Sequence, residues 1–263
     1  MKAAWAVFRA RFLALLQYRM AAIAGLGTQL FWGFLRLMIF AAFYRSTTSA
    51  QPMTMAEVTT YVWLGQATLM LVIWRPDAEV DDMVRSGNVA YELLKPVDLY
   101  TLWFARSVAS RAAPTLLRAI PMLVLASLFF GMGPPASPLS LLAWTLSTLG
   151  ALLLSAAIGT LILISMLWTV SGRGITVLLT TGGWALSGIT LPLPLFPDWA
   201  QPILDVLPFR GLMDVPFRLY MGHIPPNQAF GVLAHQLIWV LALALLGRAL
   251  LLRGTRRLVV QGG

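Results

Sequence analysis

AIPMLVLASLFFGMGPPASPLSLLAWTLSTLGALLLSAAIGTLILISMLWTVSG, residues 119–172, runs for 54 residues without one Asp, Glu, Lys or Arg. About 20 apolar helical residues cross the hydrocarbon core of a bilayer. The stretch therefore holds two crossings, and GMGPPASP at 131–138 supplies the tight reversal between them. The rest of the chain agrees. Of 263 residues, 59% are apolar and only 11% are charged, whereas a soluble surface needs roughly 25–35% charged residues. Most of the surface must face lipid, and a water-soluble globule is excluded.

Working outward, the third crossing is expected over 112–131 and the fourth over 139–170. Residues 20–44 are apolar except for Arg36 and end in RSTTSAQP, which makes them the first crossing. A short second crossing over 58–74 stops at Arg75-Pro76, since proline disfavours helix in the residue before it. Residues 75–111 carry 11 of the chain's 29 charges and are excluded from lipid. After SGRG a fifth crossing is expected over 175–191 and a sixth over 229–252. Between these, 192–228 holds eight prolines with Asp198, Asp205, Asp214, Arg210 and Arg218. Short interfacial or re-entrant outer helices are expected there, because irregular backbone facing lipid leaves peptide groups unsatisfied. Residues 1–19 set Trp5, Phe8, Phe12, Leu15 and Leu16 on one helical face among Lys2, Arg9, Arg11 and Arg19. With arginines throughout and no A-x-A site, a retained interfacial helix is expected in place of a cleaved signal peptide. The expected fold is an all-α integral membrane protein, one transmembrane domain of six helices.

The formal charge of +9 would suit nucleic acid, but the Lys and Arg residues sit dispersed at the ends of apolar segments and form no basic stripe. Topology explains them better. Six crossings put both termini on one side; fourteen Lys and Arg fall on that side, against Arg45, Arg210 and Arg218 on the other. Both termini and residues 75–111 are therefore expected in the cytoplasm.

Chemistry is narrowly bounded. Without cysteine there is no disulfide, thiolate metal site or cysteine nucleophile. The two lysines, Lys2 and Lys95, follow no glycine-rich loop, so no P-loop cradles a phosphate, and ATP chemistry must come from a partner. His223 and His235 form no H-E-x-x-H and read as structural or interfacial. Tyr44, Trp74 and Trp239, at span ends, read as interfacial anchors or lipid-facing packing.

The charged loop is the densest feature. Asp77, Glu79, Asp81, Asp82 and Arg85 precede Ser86-Gly87-Asn88. Arg85 lies four residues after Asp81 and three after Asp82, which predicts a short self-supporting helix stopped by Gly87. Pro96 stiffens the end of the loop, and Asp98 is a candidate N-cap. A helix across the cytoplasmic ends of crossings two and three is placed to push on them when a partner moves; a solvated charged face is the plain alternative. Asp77, Asp81 and Asp82 also admit a metal site acting on a phosphorylated lipid, although Arg85 competes for Asp81 and no aspartate repeat accompanies them. A passive channel or scaffold is a third reading.

RSGNVAYELLKPVDLYTLWFAR, residues 85–106, resembles the cytoplasmic loop of permeases in the ABC-2 transporter superfamily. It is most similar to the subfamily in which two related six-helix permeases are commonly encoded beside one ATPase. SGITLPLPLFPDWAQPILDVLPFRGLMDVPFRLYMG, residues 187–222, resembles the outer segment such permeases place between their fifth and sixth helices. The resemblance implies an exporter permease in the bacterial plasma (inner) membrane. No catalytic residue, metal or cofactor is implied for this chain; ATP and Mg belong to a separate ATPase dimer, and a second permease, identical or related, completes the pathway. It further implies an N-terminal connecting helix and a coupling helix that fits the ATPase. Carried over residue by residue, Asp81, Asp82, Arg85, Gly87, Glu92, Leu94, Lys95 and Pro96 fall in the coupling loop.

Two arginines lie inside spans, where ionisable groups are functional candidates by default. Arg36 is the deeper; Arg118, seven residues after Arg111, is near enough to the edge to snorkel. In the outer segment Asp205 and Asp214 are gate candidates, with a solvated rim as the alternative. An aliphatic and aromatic lining does not choose the cargo.

Overall fold

The structure, a computed structural model, describes residues 2–74, 77–94, 96–169 and 173–255, without the side chains of Arg85, Ala90 and Leu93. Arg75, Pro76, Lys95 and the tail RRLVVQGG thus lie outside the described residues. No strand occurs among those described. Helix α1 (Lys2–Leu16) stops at Gln17-Tyr18, and α2 (Arg19–Ser46) follows at once. The aromatic face of α1 is stacked, with ring centroids 5.3 Å apart for Trp5–Phe8 and 5.4 Å for Phe8–Phe12.

Helix α3 (Met55–Thr68) opens on a reciprocal cap. The Glu57 amide donates to Thr54 Oγ1 at 3.3 Å, and the Thr54 amide donates to Glu57 Oε2 at 2.6 Å. Losing the Thr54 half of such a cap costs about 1 kcal/mol. Thr54→Ala is therefore expected to lower the unfolding midpoint in detergent slightly without changing assembly. A 3-10 turn, Leu69–Leu71, continues α3. Helix α4 (Ala78–Arg85) starts at Asp77, whose carboxylate accepts from the Glu79 amide at 3.1 Å. Gly87, at φ 76°, turns the chain in the left-handed region that side chains resist, and α5 (Val89–Leu93) comes next.

Helix α6 (Leu99–Phe129) begins well before 112, because Asp98 caps it by accepting from the Thr101 amide at 3.1 Å. The end of the charged stretch is thus helix and not loop, which corrects the sequence reading. Helix α7 (Pro138–Ser165) is capped by Ser137 with Pro138 in its first turn, and it ends short of 170. Helix α8 (Arg173–Leu186) ends short of 191, since Gly188 takes φ 90° and Pro192 and Pro194 follow. Residues 192–228 hold α9 (Gln201–Val206), α10 (Asp214–Met221) and short 3-10 turns before α11 (Ala229–Thr255).

Among the described residues four segments are long and apolar enough to cross a membrane: Arg19–Ser46, Leu99–Phe129, Pro138–Ser165 and Pro226–Thr255. Helices α3 and α8, 14 residues each, reach about 21 Å at 1.5 Å per residue, short of a core about 30 Å thick. Helix α7 is the centre, packed on α6, α10 and α11. Its buried face is small-residue rich, with Ser147, Gly150, Ala151, Ser155 and Gly159, so neighbouring backbones approach closely. Helix α3 is buried on every side from Tyr61 to Thr68. Trp74 is 2% exposed, donating its indole N–H to Ser155 Oγ at 3.0 Å, with Gly183 leaving room for the ring. It is core packing, not an interfacial anchor, because Ser155 satisfies the one polar atom that would otherwise seek the interface.

Candidate functional site

The start of α4 is held by an ion-pair hub that reaches two other helices. Arg11 of α1 and Arg106 of α6 each donate at 3.1 Å to one oxygen of Asp77. Arg106 also donates to Glu79 at 2.5 Å, with Arg11 3.7 Å from the same carboxylate. The hydrogen bond from Arg106 holds the Glu79 carboxyl below the ordinary carboxylate range. Asp77, its side chain only 7% exposed, caps α4 and joins it to both arginines. With both its oxygens taken by guanidinium groups, the aspartate metal-site reading has no support.

Packing completes the anchorage. Val80 and Val89 are fully buried against Leu99, Trp103, Leu163 and Ile164 at the ends of α6 and α7. Glu92 turns inward, accepting from the Trp103 indole at 3.4 Å. Asp81 is half-buried, while Asp82, Gly87 and Pro96 are exposed. Tyr91 and Leu94 project outward, 68% and 80% exposed; at a spacing of three they share one helical face. Arg248 of α11 pairs with Asp98, at the start of α6, at 2.9 Å and lies 5.3 Å over the Tyr100 ring. The element is compact, fixed to α1, α6 and α7, and topped by two unburied apolar side chains.

Inside the bundle Arg36 donates to the Ile189 carbonyl at 2.7 Å, an acceptor set loose where α8 has ended. It thus ties α2 to the base of the outer segment. Arg118 donates to Met70 Sδ at 3.4 Å and lies against Gly25 of α2. Arg111, 6% exposed, bonds the Ser155 hydroxyl at 2.9 Å and the Ser107 carbonyl and hydroxyl at 2.8 Å each.

The two gate candidates divide. Asp205 is exposed and paired with Arg210. Asp214 is 1% exposed, accepts from the Tyr61 hydroxyl at 3.0 Å and lies 3.7 Å from Arg218. The solvated-rim alternative fails for Asp214, whose carboxylate is buried against α3. His223 stands 2.6 Å from Glu57, so it fastens the outer segment to the start of α3, and Gln236 of α11 donates to the Ser147 and Gly211 carbonyls at 2.9 and 2.7 Å.

A family model described as ABC-2 family transporter protein matches residues 30–262. The chain belongs to the ABC-2 transporter family. No curated protein and no solved structure gives a significant match. The protein is a multi-pass membrane permease of an ABC-type transporter, a transport component and not itself the catalytic one. In this ABC-2 permease Asp81, Asp82, Gly87, Glu92, Leu94 and Pro96 lie on or next to α4 and α5, with Glu92 turned toward Trp103, while the Arg85 side chain and Lys95 lie outside the described residues. Arg36 and Arg118 sit on different helices with different partners, and Asp205 and Asp214 share no contact. Sequence reading missed Arg11, Arg106, Arg111 and Tyr91. An aromatic in the middle of a polar loop was the available signal for Tyr91; Arg11 and Arg106 gave none, because their carboxylate partner is distant in the chain, and for Arg111 only Ser107, four residues before it, was in local reach.

Proposed function

We propose that this permease forms the pathway of an ATP-driven exporter, with six crossings and both termini in the cytoplasm of a bacterial inner membrane. A separate ATPase dimer holds the ATP and Mg, this chain holds neither, and a second permease, identical or related, completes the pathway. Helices α3 and α8 supply the second and fifth crossings. Enclosure of α3 by protein supports this, since a helix end that meets protein need not meet lipid. The apolar faces of α2, with Phe31, Trp32, Met38 and Ile39 exposed, and of α11, with Ile238, Leu241 and Leu245 exposed, suit lipid and the second permease.

The observation that carries the proposal is the α4–α5 element. Movement imposed at Tyr91 and Leu94 passes through Asp77 and Glu79 to α1 and α6, and through Val80 and Val89 to α7. In this reading Asp81, Asp82, Arg85, Gly87, Glu92, Leu94, Lys95 and Pro96 frame the ATPase contact, with Arg36 and Asp214 bracing the outer gate and Asp205 on its rim. Topology is tested with single cysteines at Ser49, Ser86 and Gln201 in this cysteine-free chain. An impermeant maleimide is expected to label the first and third in intact cells, and the second only after permeabilisation. Labelling at Ser86 in intact cells would refute the orientation.

A further inference from the structure

A cavity of about 600 Å³ lies between α1, α2, α6, α7 and the residues Leu69, Met70, Ile73, Asp77 and Ala78, at the end of the bundle that carries α1 and α4. Arg11, Arg111 and Arg118 line it against one carboxylate, Asp77, which is already shared between Arg11 and Arg106. The partners of Arg111 are neutral oxygens, and among the described residues no carboxylate pairs with it. Arg111 therefore brings to the lining a positive charge that no carboxylate among the described residues answers. A buried cation without a counter-charge is costly, and inside a membrane protein such a group marks a ligand or ion path.

Two further observations make this a built site. Gln29 of α2 lines the same cavity, is 2% exposed, and meets no hydrogen-bond partner at either end of its amide among the described residues. A buried amide left open in this way loses more than a satisfied one gains. Two glycines also seat the arginines. A Cβ on Gly25 would collide with the Arg118 guanidinium, and one on Gly159 with that of Arg111. Apolar side chains share the lining with these polar groups, Leu15, Ile73 and Leu163 among them.

We propose that this cavity binds an anionic amphiphile, its compact headgroup, a phosphate in the simplest case, held by Arg111, Arg118 and Gln29 and its apolar chain lying on Leu15, Ile73 and Leu163. Guanidinium forks match phosphate oxygens in charge and geometry, and the Gln29 amide adds a neutral donor. An uncharged or cationic cargo leaves the charge of Arg111 unanswered. Gln29 lies ten residues into α2, about 15 Å along the helix, so a lipid entering from the cytoplasmic leaflet brings its headgroup to this depth. The inference names the cargo class of the exporter proposed above and rests on that reading for transport; binding is measured without it.

The full chain in detergent is mixed with phosphatidylglycerol, phosphatidylcholine or inorganic phosphate, and binding is read by native mass spectrometry and by the shift in unfolding midpoint. Phosphatidylglycerol is expected to remain bound and to stabilise, with phosphatidylcholine weaker. Gln29→Leu and Arg118→Gln are each expected to weaken phosphatidylglycerol about tenfold, the loss expected on removal of one hydrogen bond to a charged group. Lipid-free midpoints should stay near that of the parent chain, and if one variant does not fold, the other decides. Equal binding of the two lipids, or unchanged binding by a folded variant, overturns the proposal. So does displacement of the lipid by inorganic phosphate at equal concentration, which would make this a free-anion site. Co-purification with the ATPase is followed on the same samples. Loss of lipid with assembly intact supports the inference, whereas failure of the parent chain to assemble counts against the exporter reading and leaves the lipid result standing.

Discussion

Leu94→Asp is expected to abolish association with the cognate ATPase while leaving the permease folded. Leu94 is 80% exposed and Tyr91, on the same face, 68%, so neither contributes much to the chain's own core. Apolar anchors at the centre of a docking patch carry most of its energy, with truncations costing about 2 kcal/mol or more. A carboxylate placed there must also be desolvated against the partner. The result is an affinity loss of about thirtyfold or greater. Asp82→Asn, at an exposed charge on the rim, should change affinity by less than about 1 kcal/mol and chiefly alter its salt dependence. Pull-down at two ionic strengths, with melting midpoints measured in parallel, separates lost docking from lost fold.

Gly159→Ala is expected to be strongly destabilising for a change of one methyl group. The new Cβ would stand inside contact distance of the Arg111 guanidinium, and 2.9 Å from the Ser107 hydroxyl. Arg111 cannot swing aside cheaply, since it is buried and tied at 2.8 to 2.9 Å to Ser107 and Ser155. Overpacking a tight core costs about 1–3 kcal/mol, and breaking one of these hydrogen bonds adds about 1.5 kcal/mol or more. Gly27→Ala is the control. Nothing lies within 4 Å of a Cβ there, so helix propensity alone should stabilise α2 by up to about 1 kcal/mol. Chemical unfolding in detergent reads both. Shortening the arginine in Gly159→Ala/Arg111→Gln should recover part of the loss, because the two sites touch and their effects are coupled.

What the sequence disclosed was local. A charge-free run of 54 residues reads directly as lipid-facing helix, because the bilayer imposes length and apolarity on contiguous residues. Gly87 and Asp98 were equally legible, for stops and caps act within one turn on their own backbone. Several of the misreadings are non-local. Arg111 looked like the last charge of a loop because its acceptor, Ser155, is 44 residues away. Asp214 looked like a surface acid because Tyr61, which donates to it, is 153 residues away. Trp74 resembled an interfacial anchor, as any tryptophan does at a span end, until Ser155 and Gly183 are seen to enclose it. The four long helices were plain from composition; α3 and α8, at 14 residues, were drawn too long because the apolar sequence continues past the backbone breaks.

The most direct test of the coupling proposal is the rate at which an impermeant maleimide modifies Leu94→Cys, a unique thiol in a chain that has no cysteine of its own. The expected result is no labelling in intact cells, rapid labelling in inverted membrane vesicles, and protection in those vesicles when the ATPase is added. Ser49→Cys should show the opposite sidedness and no protection. Labelling at position 94 in intact cells, or a rate in inverted vesicles that the ATPase leaves unchanged, would contradict the assignment of α4–α5 as the element that receives the ATPase.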